Sequence, residues 1–91
     1  MFLHIGNNKT IPLNQIIAII DINSFNSSSE LKYFIDSQKC ISNDEDNDIK
    51  SYIVTSKEKK TIIYTSNISS STLLKRSNGF TMSNKHFNLH M

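Results

Sequence analysis

A chain of 91 residues holds one domain, and a domain this small buries a limited share of its surface, so association with copies of itself is expected. No apolar run reaches membrane-spanning length, and Met1-Phe2-Leu3-His4 offers neither the positive flank nor the long apolar core of a signal peptide. A single cysteine, Cys40, cannot form an internal disulfide, so a reducing, cytoplasmic location with no membrane partner is expected.

Taken in order, residues 2–5 read as a first strand, Gly6-Asn7-Asn8 as a turn and residues 9–11 as its return, with Pro12 ending the ladder because it has no N–H to give. Ile16-Ile17-Ala18-Ile19-Ile20 is an unbroken apolar run of strand length, which predicts a core strand covered on both faces. Residues 21–26 read as a polar exit. Ser27-Ser28-Ser29-Glu30 then fits a capping box with Ser27 as N-cap. Leu31, Phe34 and Ile35 fall on one face at helical spacing, predicting a helix over about residues 28–39.

Residues 42–48 are polar and acidic and are expected to form an exposed loop. Asp44, Asp46 and Asp48 do not make a calcium loop, because the sharp-turn glycine position holds Ile49 and the bidentate glutamate position holds Thr55. The stretch 51–76 is the organising unit. Tyr52-Ile53-Val54 and residues 61–65 predict two strands of a hairpin, joined by a polar Lys57-Glu58-Lys59-Lys60 loop. Ile68, the N-cap candidate Ser69 and Leu73 then predict a short helix stapled to its entry, with Leu73 and Leu74 docking it on the hairpin. Residues 77–91, rich in Ser and Asn, are expected to be a disordered tail following a domain over 1–76.

The expected fold class is α+β: one small domain with a mainly antiparallel sheet, one longer helix and one short helix. Phe34, Ile35, Ile17, Ile19, Val54, Ile63 and Leu73 are the expected core.

Little in the chain suggests catalysis. With only Gly6 and Gly79 there is no glycine-rich phosphate loop, no Ser-His-Asp or Cys-His set stands out, and all three histidines lie at the chain ends, so an enzyme is not expected, nor a cofactor. His86 and His90 are four apart but lack further ligands, so no metal site is expected. Cys40 reads as a small half-buried apolar residue without the basic neighbours of a reactive thiolate. Ser69-Ser70-Ser71-Thr72 reads as a helix cap before it reads as a phosphate site.

Charge is unevenly placed. Residues 1–49 carry three lysines against seven acids, a balance of −4, whereas residues 50–91 carry seven basic residues against Glu58 alone, a balance of +6. Such a basic half points to an anionic partner, with nucleic acid the commonest one, or to a solvated lysine-rich surface.

The stretches MFLHIG, IIAIID, SYIVT and KKTIIYTSNISSSTLLKR, in this order and spacing, resemble the extracellular matrix regulatory protein B family of Gram-positive bacteria, part of a small domain family that also holds matrix regulatory protein A. The resemblance covers residues 1–76, and TSNISSSTLLKR is its most specific part. It implies a small cytoplasmic homo-oligomer connected with expression of biofilm matrix genes. The A branch is a DNA-binding transcriptional regulator that forms rings and lays DNA along a basic outer surface.

Members of that branch carry closely spaced arginines just ahead of the strand matching residues 51–56. Here the stretch reads Asn47-Asp48-Ile49-Lys50, which leaves only Lys50, behind an acidic run. The candidate DNA contacts are therefore Lys50, the loop lysines Lys57, Lys59 and Lys60, and Lys75 with Arg76 at the end of the last helix. Two readings stay open. One is an oligomer that binds duplex DNA with little base discrimination. The other is an oligomeric scaffolding module that regulates through a protein partner.

Overall fold

The structure is a computed structural model that describes residues 1–41 and 48–77 together with the backbone of 88–90. It is α+β, as expected, with mostly antiparallel strands and, among the described residues, three α-helices. Strands β1 (Phe2–Gly6) and β2 (Lys9–Pro12) form a hairpin of their own. A single 3-10 turn, Leu13–Gln15, leads into β3 (Ile16–Asp21). Helices α1 (Ile22–Ser27) and α2 (Ser29–Asp36) and strand β4 (Lys39–Ile41) follow. Then come β5 (Ser51–Lys57), β6 (Lys60–Ser66), α3 (Ser70–Ser77) and β7 (Asn88–His90). The larger sheet has the order β4-β6-β5-β3-β7, antiparallel at its centre and parallel at both ends.

Apolar side chains on both faces of that sheet make a three-layer molecule. Ile16, Ile19 and Ile53 point to one face, where Leu3, Ile5, Ile11 and Leu13 of the first hairpin region and Leu73 of α3 cover them. Ala18, Ile20, Tyr52, Val54 and Ile63 point to the other, under Ile35 and the partly buried Ile22, Phe25 and Leu31 of α1 and α2. The strand period of two sends successive residues of β5 to opposite layers, which is why this strand is buried along its first five residues. Complete burial of an isoleucine or leucine stabilises by about 1.5–3 kcal/mol, so Ile5, Ile19, Ile53, Ile63 and Leu73 carry much of the stability.

Two expected core residues are not in it. Ile17 is 41 % exposed, because the pairing of β3 with β5 slips between Ile16 and Ala18 and the extra residue of this bulge turns out of the pleat. Phe34 is 38 % exposed, since the eight-residue α2 buries a narrow stripe through Leu31 and Ile35 and leaves the neighbouring position on its flank.

Helix boundaries also differ from expectation. Residues 22–27, read as a polar exit, are α1, started by Asp21, whose carboxylate accepts the N–H of Asn23 at 2.9 Å. That helix pushes the next N-cap on by one residue. Ser28, not Ser27, accepts the Leu31 N–H at 3.2 Å, so Glu30 no longer falls at the reciprocal position of a capping box. Of the tail expected to be disordered, Ser77 closes α3 and Asn88–His90 lie parallel to β3; the rest falls outside the described residues, as does the acidic stretch up to residue 47.

Candidate nucleic-acid interface

The hairpin of β5 and β6 is built from register pairs running from Ser51 opposite Ser66 to Lys57 opposite Lys60. Its turn is shorter than the four-residue loop expected: Lys57 and Lys60 belong to the strands, and only Glu58 and Lys59 make the connection. Both turn residues have positive φ, 53° and 67°, as a two-residue type I′ turn requires if the strands are to keep their right-handed twist. This geometry is easy for Asn and Gly and costs a long side chain about 1 kcal/mol or more. Lys57, Glu58, Lys59 and Lys60 are all exposed. Three ammonium groups therefore stand at one tip, two of them on directly opposed residues, with none ion-paired among the described residues.

The opposite end of the hairpin is fixed by buried hydroxyls. Ser51 Oγ donates to the Ile68 carbonyl at 2.8 Å, while Ser66 Oγ donates to the Ile5 carbonyl at 2.8 Å and accepts the Ile68 N–H at 3.0 Å. Ser70 Oγ donates to Asp21 at 3.1 Å, so the carboxylate that starts α1 on one face also holds α3 on the other. These bonds satisfy groups at buried positions, where an unpaired donor or acceptor would cost about 1–3 kcal/mol. Together they make the base of the hairpin rigid and leave its lysine tip projecting.

The six candidate cations do not form one patch. Lys50 is exposed at the entry to β5, roughly 20 Å of strand from Lys57 at the rise of an extended chain, and its backbone binds Ser66 and Ile22. Lys75 and Arg76 are exposed in the last turn of α3, where positive charge suits the helix C-terminus. Arg76 donates from Nη1 to the His4 carbonyl at 3.0 Å and lies 3.3 Å from His4 Nδ1, which ties it to β1 on the first-hairpin side. Lys9 was not among the candidates, and it lies over the Tyr64 ring at 5.3 Å.

The serine run at the start of α3 acts as a cap. Ser69 Oγ accepts the Thr72 N–H at 3.3 Å and bonds the Thr72 and Ser71 hydroxyls, so these groups are spent on one another. Ile68 and Leu73 meet in the same apolar cluster, as the staple predicts. Cys40 is exposed in β4 and not half-buried, yet its sulfur is desolvated enough, with the Asp36 carboxylate adding to the effect, to push the thiol above the ordinary cysteine range. Burial, with smaller contributions from Cys40 and Asp36, likewise raises Tyr52. Among the described residues no helix is long and apolar enough to cross a membrane.

A family model described as RemA-like, extracellular matrix regulatory protein A-like, matches residues 2–76. The match supports the wider family and does not single out its B branch. No curated protein and no solved structure matches the chain.

Proposed function

The chain belongs to this extracellular matrix regulatory family, and on that premise we propose that it is a cytoplasmic homo-oligomer that binds duplex DNA with little base discrimination and so regulates matrix gene expression. The observation that carries the reading is the tip of the β5–β6 hairpin. Lys57, Lys59 and Lys60 are exposed and without ion-pair partners among the described residues, on a turn whose backbone would favour other side chains. Contacts of this kind neutralise phosphates without reading bases, and a closed assembly that repeats the tip adds weak contacts through avidity. Lys50, Lys75 and Arg76 are secondary contacts in this reading. Their separate placement suits a long backbone and not a single pocket.

A second reading, an oligomeric scaffold that works through a protein partner, is favoured by Asn47-Asp48-Ile49-Lys50, where an acidic and amide-rich stretch precedes the lone lysine. Salt separates the two. Three phosphate contacts give a log-log slope of about −2.7 per subunit, so affinity for a fluorescent duplex falls roughly fortyfold between 50 and 200 mM salt. Changing Lys57, Lys59 and Lys60 together to Glu abolishes that binding while the protein stays folded by circular dichroism. Absence of binding at about 50 mM salt, or binding that survives the triple change, removes the hairpin tip as a DNA contact.

A further inference from the structure

We propose that duplex DNA lies against the first-hairpin face of the larger sheet, its phosphates held by a track of cations running from the hairpin tip through Lys39 and Lys9 to Arg76. This rests on the DNA reading above and extends the contact surface from the tip to a whole face.

Pairing register decides which way each side chain points. Paired residues of neighbouring strands share a face, and so do residues two apart on one strand. Ile53 and Tyr64 are opposed, and both pack in the cluster formed with the first hairpin. Counting by twos from them, Lys57 and Lys60, which oppose each other at the tip, project to that same face. On the other side of β6, Lys39 pairs with Ile62 and Ile41 with Tyr64, so the exposed Lys39 joins them. Cys40, between them, pairs with Ile63 and turns to the face under the helices.

Lys9 reaches the face from the layer above it. It stands in β2 opposite Gly6, and its ammonium lies 5.3 Å from the centre of the Tyr64 ring. An aromatic ring orients a cation without neutralising its charge. Arg76 continues the line over β1, where His4 is opposite Thr10, the residue after Lys9. Its Nη1 is held by the His4 carbonyl at 3.0 Å, and its other donors have no partner among the described residues, which leaves a guanidinium edge for a phosphate.

No carboxylate in this layer offsets these charges. Residues 1–15 and 67–77, which cover the face, hold Lys9, Lys75 and Arg76 and no Asp or Glu, whereas residues 22–36 of the helical layer hold Glu30 and Asp36 against Lys32. Positive charge is thus sorted to one side of the molecule. Spacing selects the anion. Lys60, then Ile62 with Lys39 beside it, then Tyr64 under Lys9 follow in two-residue steps of about 6.7 Å, twice the ~3.4 Å rise per phosphate of one DNA strand. A single phosphate needs cations that converge on it, and a line of them suits a polyanion.

The test measures binding of a fluorescent duplex across a range of salt. Three variants are compared: Lys9→Gln with Lys39→Gln, Arg76→Gln, and Lys32→Gln, which removes the same charge from the helical layer. The double variant is expected to flatten the log-log salt slope by about two per subunit engaged and Arg76→Gln by about one, while Lys32→Gln leaves it unchanged. Lys9→Arg with Lys39→Arg is expected to keep the parent slope. An effect of Lys32→Gln as large, charge for charge, as those of the others overturns the track, because net charge alone then sets affinity. Parent binding that the first two variants leave intact overturns the track and spares the tip. No binding by the parent at about 50 mM salt overturns the DNA reading and the track together. If Arg76→Gln does not fold, a photo-crosslinker on Thr10→Cys in a Cys40→Ser background decides instead, since Thr10 is exposed beside Lys9. Crosslinking to the duplex supports the track, and its absence while the same protein still binds DNA overturns it.

Discussion

Two hairpins of this molecule close with the same backbone turn and opposite choices of residue. Between β1 and β2, Asn7 and Asn8 take φ of 50° and 62°; between β5 and β6, Glu58 and Lys59 take 53° and 67°. Asparagine reaches the left-handed region at small cost because its short amide can bond to the nearby backbone. Glutamate and lysine have no such compensation. The first turn is thus chosen by its geometry, and the second carries residues that its geometry resists. Native sequences depart from local preference most often where a side chain is wanted for something other than folding. The buried networks beneath the second hairpin supply the rigidity that the strained turn requires.

The largest test of this contrast lies where the two hairpins meet. Ser66 ends β6, donates to Ile5 of β1 and accepts from Ile68, at 1 % exposure. Ser66→Ala leaves polar groups at a buried position without this partner and is expected to destabilise by about 2 kcal/mol, lowering Tm by roughly 10 °C. A melt within 2 °C of the parent would show that the hairpins are held together by apolar packing alone.

Exchanging the turns has the next effect. Glu58→Asn with Lys59→Gly is expected to stabilise by about 1–2 kcal/mol, and Asn7→Glu with Asn8→Lys to destabilise by a similar amount. Urea unfolding of both variants measures this directly. If both pairs move stability in the same direction, the two turns do not differ in strain and the second gives no hint of function.

Much of this frame was legible from sequence. Continuous apolar and β-branched runs of strand length located β3, β5 and β6, the turn residues after residues 2–5 marked β1, and the Ile68-Ser69-Leu73 spacing located α3, because these patterns report burial and chain reversal directly. What escaped depended on neighbours. α1 offers only Ile22 and Phe25, three apart, as an apolar signal, and its N-cap is Asp21, whose carboxylate also accepts from Ser70, 49 residues distant. Ile17 looked like core until a bulge rotated it outward, and a bulge is set by pairing, not by composition. β4 and β7 have three residues each, below the length at which a pattern can be recognised, and both are defined by the parallel partner beside them. The lysines of the candidate interface were visible as a cluster. The strained turn beneath three of them was not, because a two-residue turn and a four-residue loop read alike until the register is known.

The smallest effect isolates charge from backbone. Lys57 and Lys60 face each other directly across the ladder, and like charges so placed are unfavourable by about 0.2–1 kcal/mol, less at an exposed tip in salt. Lys57→Glu turns the repulsion into attraction without touching the turn residues. Stability is expected to rise by a few tenths of a kcal/mol at 50 mM salt and to return to the parent value at 1 M, where charges beyond about 3 Å are screened. In the same protein the salt slope of DNA binding is expected to flatten by about one, the share of one lysine-phosphate contact. The two changes run in opposite senses, which is what a tip that sacrifices stability for a ligand must show. A variant that gains stability while its DNA affinity and salt slope stay unchanged would mean that Lys57 is a tolerated surface charge, and the contrast between the two hairpins would then reside in Glu58 and Lys59 alone.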